Sequence, residues 1–166
     1  MPQAAEQLEP TPTIATRDEY LVECRKYLGV RWQHQGRSEK GIDCAGLLVV
    51  PALTLGILQP TDDVTNYGRT PHDDTLTVLL HKHCRRLDDW HTAQPADILA
   101  IKYTGPQPQH LMIVTKAYDV RWGFHVIHAY GNSEMGGSVV EHRLDEGWLK
   151  SVRGKIHAAF AIDGVG

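Results

Sequence analysis

Apolar positions change their period along the chain, and the changes mark out its elements. Thr16-Arg17-Asp18-Glu19 forms a capping box, with Thr16 as N-cap and Glu19 three residues on. The positions that follow place Tyr20, Leu21, Cys24, Tyr27 and Leu28 on one stripe of a helix that Gly29 stops, so Cys24 reads as core packing. Residues 30–42 are polar and read as a loop. From Leu47 the chain turns apolar on every side (Leu48, Val49, Val50, Ala52, Leu53, Leu55, Ile57), the pattern of a helix buried in a core. Asp43 is a good N-cap for it, and Pro51 should kink or shorten it. Gln59 to Pro71 is a turn-rich connection. Asp73 to Leu87 returns to the helical period, with Leu76, Leu79, Leu80, His83, Cys84 and Leu87 at core spacing. Beyond Trp90 the period shortens, and 97–103, 110–117, 124–130, 138–143 and 155–162 read as strands of an antiparallel sheet. Gly105-Pro106-Gln107-Pro108 and Asn132 to Gly137 are turns between them. Helices first and strands after predict an α+β fold, with N-terminal helices packed on a central antiparallel sheet. Residues 1–15, rich in Pro, Gln, Glu and Ala, read as a flexible arm, and 16–166 as a single domain.

Composition removes several function classes. The formal net charge is −3 and no basic stripe follows any element, which argues against nucleic-acid binding. Three cysteines (Cys24, Cys44, Cys84) are an odd number without paired spacing, so a disulfide framework is not expected and a reducing compartment during folding is the simpler reading. The apolar run from Ala45 to Leu58 is interrupted by Pro51, Thr54 and Gly56 and falls short of the roughly 18 residues of a membrane span. The first fifteen residues lack the basic and apolar regions of a signal peptide.

Candidate chemistry centres on Cys44, directly after the N-cap Asp43. In the first turn of a helix a sulfur sits at the positive end of the macrodipole near free N–H groups, which favours the thiolate. Two strand segments could supply a base, through His110 in one and His125 or His128 in the other. A cysteine with histidines far off in sequence is the ingredient list of a papain-like site. Spacing alone leaves a small buried cysteine equally open. His81-Lys82-His83-Cys84 invites a zinc reading, but Cys84 belongs to the buried stripe and no second ligand cluster follows, so no metal is expected.

The order of motifs resembles the NlpC family of papain-like cysteine peptidases, which cleave the peptide stems of bacterial cell walls. The likeness runs from about Tyr20 to Ile162: Tyr27-Leu28-Gly29 and His34-Gln35-Gly36-Arg37, then Asp43-Cys44-Ala45-Gly46-Leu47, then Pro95-Ala96-Asp97-Ile98-Leu99, His110-Leu111-Met112-Ile113 and Ile127-His128-Ala129. More narrowly it is similar to the compact branch encoded in tail-tip gene clusters of bacteriophages and gene-transfer particles. The resemblance implies Cys44 as nucleophile, His110 as general base and acid, and His128 as the orienting third residue, with no cofactor. Strand alternation puts Val126, His128 and Tyr130 on one face and His125, Ile127 and Ala129 on the other, so His125 and His128 cannot both face one site, and His128 is the choice the resemblance implies. Two positions depart from the family. Ala45 replaces the usual serine after the nucleophile, and Trp32 stands where a tyrosine is common, which leaves substrate specificity open; Asp43 and Trp32 are the expected substrate contacts. The implied partners are peptidoglycan stem peptides and tail-tip or hub proteins, and the implied location is a virion tail tip acting on the host wall. A structural tail-tip component with an idle site and a free lysis amidase are the competing readings.

Overall fold

The computed structural model describes residues 12–68, 74–132 and 134–166. Its centre is a six-stranded antiparallel sheet built from β3 (Cys84–Arg86), β4 (Ile98–Lys102), β5 (His110–Asp119), β6 (Gly123–Asn132), β7 (Gly136–Leu144) and β8 (Lys155–Ile162), in the order β3-β8-β4-β5-β6-β7. The β5–β6–β7 meander alternates its side chains between two faces up to Val114 of β5, beyond which the β5–β6 register shifts. Ile113, Ile127, Ala129 and Val139 face one core, while Met112, Val114, Val126 and Leu144 face another.

The first core lies under the helices α1 (Arg17–Arg25) and α2 (Cys44–Thr54), with Tyr20, Leu21, Cys24, Leu47 and Ala52 against the sheet. The capping box at Thr16 is formed as the sequence implied, and Cys24 is fully buried. Two short strands, β1 (Arg37–Ser38) and β2 (Gly41–Ile42), pair as a hairpin that leads into α2. The stretch expected to be a plain loop therefore has order of its own: Trp32 bridges Ile42, and Arg31 bridges Ser138 on β7. Pro51 does not end α2, which continues to Thr54; a proline inside a helix removes the bond to the carbonyl four residues back, here Leu47.

Three further differences have physical causes. The expected helix from Asp73 to Leu87 has its first residue outside the described residues, and α3 runs from Thr75 only to His83. Cys84 to Arg86 is a strand because the edge of β8 offers it a ladder, Cys84 opposite Ile162 and Arg86 opposite Phe160, and tertiary pairing overrides a helical period. A short helix, α4 (Glu146–Ser151), closes the second face of the sheet, capped by Asp145, whose carboxylate accepts from the Trp148 N–H at 2.9 Å. Trp148 and Leu149 pack there against the second core. The expected arm over 1–15, of which 1–11 lie outside the described residues, ends before Ile14: the Ile14 N–H donates to the Gly164 carbonyl and Ala15 bridges Val165.

Candidate active site

Asp43 fixes the start of α2. One carboxylate oxygen accepts the Gly46 N–H at 2.8 Å, which is the N-cap bond, and an Arg37 N–H at 3.1 Å. Its other oxygen accepts the Gln35 N–H at 2.8 Å and the Tyr67 hydroxyl at 2.6 Å. Arg37 ties the same knot from outside, donating also to Asp63, to the Tyr67 hydroxyl and to the Gly36 and Val64 carbonyls. A buried carboxylate with four donors is stable where it stands, and the helix start is held by it.

Cys44 is the first residue of that helix, and the backbone amides of Leu111 and Ala45 act on its sulfur to favour the thiolate. Leu111 follows His110, so the nucleophile candidate sits against the beginning of β5. The helix start was expected to favour the thiolate. Burial, followed by the Asp43 carboxylate, instead pushes the thiol up to about 12, against the pull of the two amides and Arg37. The resting group is a thiol.

His110 opens β5, and its Nε2 lies 2.6 Å from Nδ1 of His128 on β6. Burial pushes His110 down to about 4, and burial, then His110, then His142 push His128 down to about 2, so both rings are neutral at neutral pH. His128 is wholly buried. Its remaining nitrogen, Nε2, lies 2.8 Å from Nε2 of His142 on β7, and Nδ1 of His142 lies 2.8 Å from the Arg143 carbonyl. Trp148 from α4 stacks edge-on to His128 at 5.7 Å and lies 5.1 Å from His142, covering the row. His125 points elsewhere, into a hollow with Lys116, Trp122 and Arg143.

Cys44 and His110 line one cleft of about 510 Å³, whose walls include Trp32, His34, Tyr103 and Tyr130. That size suits a peptide-sized ligand. Among the described residues no group of three or more His, Cys, Asp or Glu converges on a metal position. The three histidines face one another in pairs and do not point at a common centre. Of the residues singled out in the sequence, the cleft brings together Trp32, Asp43, Cys44 and His110, with His128 directly behind His110. His142 and Trp148 were missed. Only alternation combined with the β6–β7 register places His142: Val126 pairs with His142 and His128 with Val140, so His142 is the diagonal neighbour of His128 on the same face.

No protein-family profile matches the chain, and no curated protein sequence matches it. Solved structures do. The NlpC/p60 domain of the peptidoglycan hydrolase SagA superposes with a TM-score of 0.55 at 16% identity, covering 88% of this chain and 97% of that one. An NlpC/p60 family protein from Bacillus cereus ATCC 10987 gives a TM-score of 0.55 at 19% identity over 87% of this chain, which spans only 40% of that longer protein. With helices before strands, a cysteine at the helix start and a histidine at the head of the facing strand, the chain has the NlpC/p60 fold.

Proposed function

We propose that this protein is a cysteine peptidase that hydrolyses amide bonds in the peptide stems of peptidoglycan. The observation that carries the reading is the shared cleft of Cys44 and His110, with His110 bonded from behind to His128 at 2.6 Å. The likeness in fold to the NlpC/p60 domain of the peptidoglycan hydrolase SagA supports the substrate class.

The chemistry follows from the protonation states. His128 occupies Nε2 of His110, which leaves Nδ1 to take the proton from the neutral Cys44 thiol as sulfur attacks the carbonyl carbon. The carbonyl oxygen becomes an oxyanion, for which the Cys44 backbone N–H is the donor, since the first amides of a helix have no partner within it. Collapse breaks the C–N bond, and the His110 imidazolium gives its proton to the departing amine. Water, deprotonated by neutral His110, then attacks the thioester and releases the carboxylate and the thiol. Trp32 supplies an apolar wall for the substrate. Asp43 contributes charge: Arg37 stands between the carboxylates of Asp43 and Asp63, and the cluster stays negative overall, which favours a substrate amine.

The narrower placement in a phage or gene-transfer-particle tail tip rests on the resemblance of the motif series. It predicts that particles carrying Cys44→Ala assemble normal tails yet penetrate thick walls poorly; purified tails lacking the protein would point to a free lysis enzyme. The peptidase reading is tested by digesting purified sacculi and weighing the soluble fragments. Fragments cut within stem peptides are expected, each cut leaving a new amine and a new carboxylate. Cuts confined to glycan chains, or sacculi left intact, would overturn it, and intact sacculi together with normal incorporation into tails would favour a structural component.

A further inference from the structure

The row of histidines does not stop at the pair that the proposed mechanism uses. Arg143 presents a carbonyl, which only accepts, so Nδ1 of His142, 2.8 Å away, carries a proton. A neutral His142 then has a lone pair on Nε2. That lone pair lies 2.8 Å from Nε2 of His128, which must therefore be the protonated nitrogen of that ring. His128 is left with a lone pair on Nδ1, 2.6 Å from Nε2 of His110, and the His110 proton is fixed there in turn. His142 and His128 each use one donor and one acceptor, and His110 uses its donor. The only basic nitrogen left on His110 is Nδ1.

We infer that His142 is a positioning residue that sets the tautomer of His110 through His128, with the Arg143 carbonyl as the fixed end of the chain of bonds. The direction of three bonds depends on one acceptor. A donor-only group at position 142 would still donate to that carbonyl but would reverse the other two bonds: His128 would carry its proton on Nδ1 and His110 its proton on Nδ1, where a base needs a lone pair. Trp148, packed on both His128 and His142, keeps competing water off the middle of the row. His128 is wholly buried and has no other hydrogen-bond partner among the described residues, so it transmits the choice.

The inference rests on the proposed peptidase reading for its catalytic meaning but not for its structural test. Long-range ¹⁵N–¹H correlation spectra of the full-length protein separate protonated from unprotonated imidazole nitrogens ring by ring. In the wild type His110 should be protonated at Nε2 and unprotonated at Nδ1. His142→Gln keeps an acceptor for His128 and a donor for the Arg143 carbonyl, so the same tautomer is expected, with kcat on wall peptides within a few-fold. His142→Lys presents only donors. It should move the His110 proton to Nδ1 and lower kcat on the order of 100-fold with little change in KM, because residue 142 touches no substrate. A wild-type His110 protonated at Nδ1 would overturn the inference, and so would a His110 tautomer and kcat that stay unchanged in His142→Lys. Expected tautomers in a protein that leaves stem peptides uncut would uphold the positioning chain and reject the peptidase reading.

Discussion

Cys44 at rest is a thiol and His110 a free base, so the first proton moves during the attack on the carbonyl. The two histidines behind the attack are then unequal. Removing His110 takes away both base and acid; removing His128 leaves the attacking pair in place but unoriented. His128→Ala should therefore keep more residual activity on sacculi than His110→Ala, with losses of about 10-fold and about 1,000-fold or more. The reverse order would mean that the roles are exchanged. At this scale the sequence was informative where periodicity speaks: strand alternation put His125 and His128 on opposite faces, and the two do point to different sites. It was silent on His142, because only the β6–β7 register brings that ring beside His128. For the sulfur it gave only one side of the balance, because helix position is visible in a sequence and the burial and the Asp43 charge that act against it are not.

The elements meet at two glycines. A Cβ on Gly46 in α2 would land on the Gly36 carbonyl, with Ile42 Cγ1 at 2.9 Å and an Arg37 nitrogen at 3.0 Å, so the first turn of the helix can seat on the β1–β2 segment only without a side chain there. Gly46→Ala should cost roughly 1–3 kcal/mol and shift the loop that holds Asp43, lowering both the melting temperature and the rate on muropeptides. A wild-type melt would show that the seat is looser than described. Arg37 secures the same junction from the hairpin. Arg37→Ala strands a buried Asp43 carboxylate and should cost roughly 3–5 kcal/mol by chemical denaturation. Lysine should not replace it, having one point charge for contacts that reach Asp43, Asp63 and Tyr67 together. α1, α2 and strands β4 to β8 were legible because their caps and periods agree with their packing. The end of α3 was not, since the edge of β8 claims Cys84 to Arg86, and α4 was not, since six residues containing Gly147 carry too little periodicity to be read.

For the molecule as a whole, the buried imidazoles link stability to pH. His110 and His128 bind protons near 6.5 when unfolded but only near about 4 and about 2 when folded, so the unfolded chain holds more protons as the pH falls below 6.5. Stability is complete above that value and is lost as the pH drops toward about 4, with His110 alone accounting for about 3 kcal/mol. Melting temperature should therefore decline between about pH 7 and about pH 5, where carboxylates remain ionised and do not contribute. A flat profile over that window would mean that the two rings are not shielded as described. Burial sets Cys24 apart from the other two cysteines, and position separates those. Cys24 is fully enclosed in the core and Cys84 packs against it from β3, whereas Cys44 opens on the cleft beside His110. The most direct test is to treat the folded protein with limiting iodoacetamide, map the label by mass and follow muropeptide hydrolysis in the same samples. Label should appear first on Cys44, and hydrolysis should vanish in proportion to its occupancy while Cys24 and Cys84 stay free. Full alkylation of Cys44 with hydrolysis undiminished would contradict its role as the nucleophile.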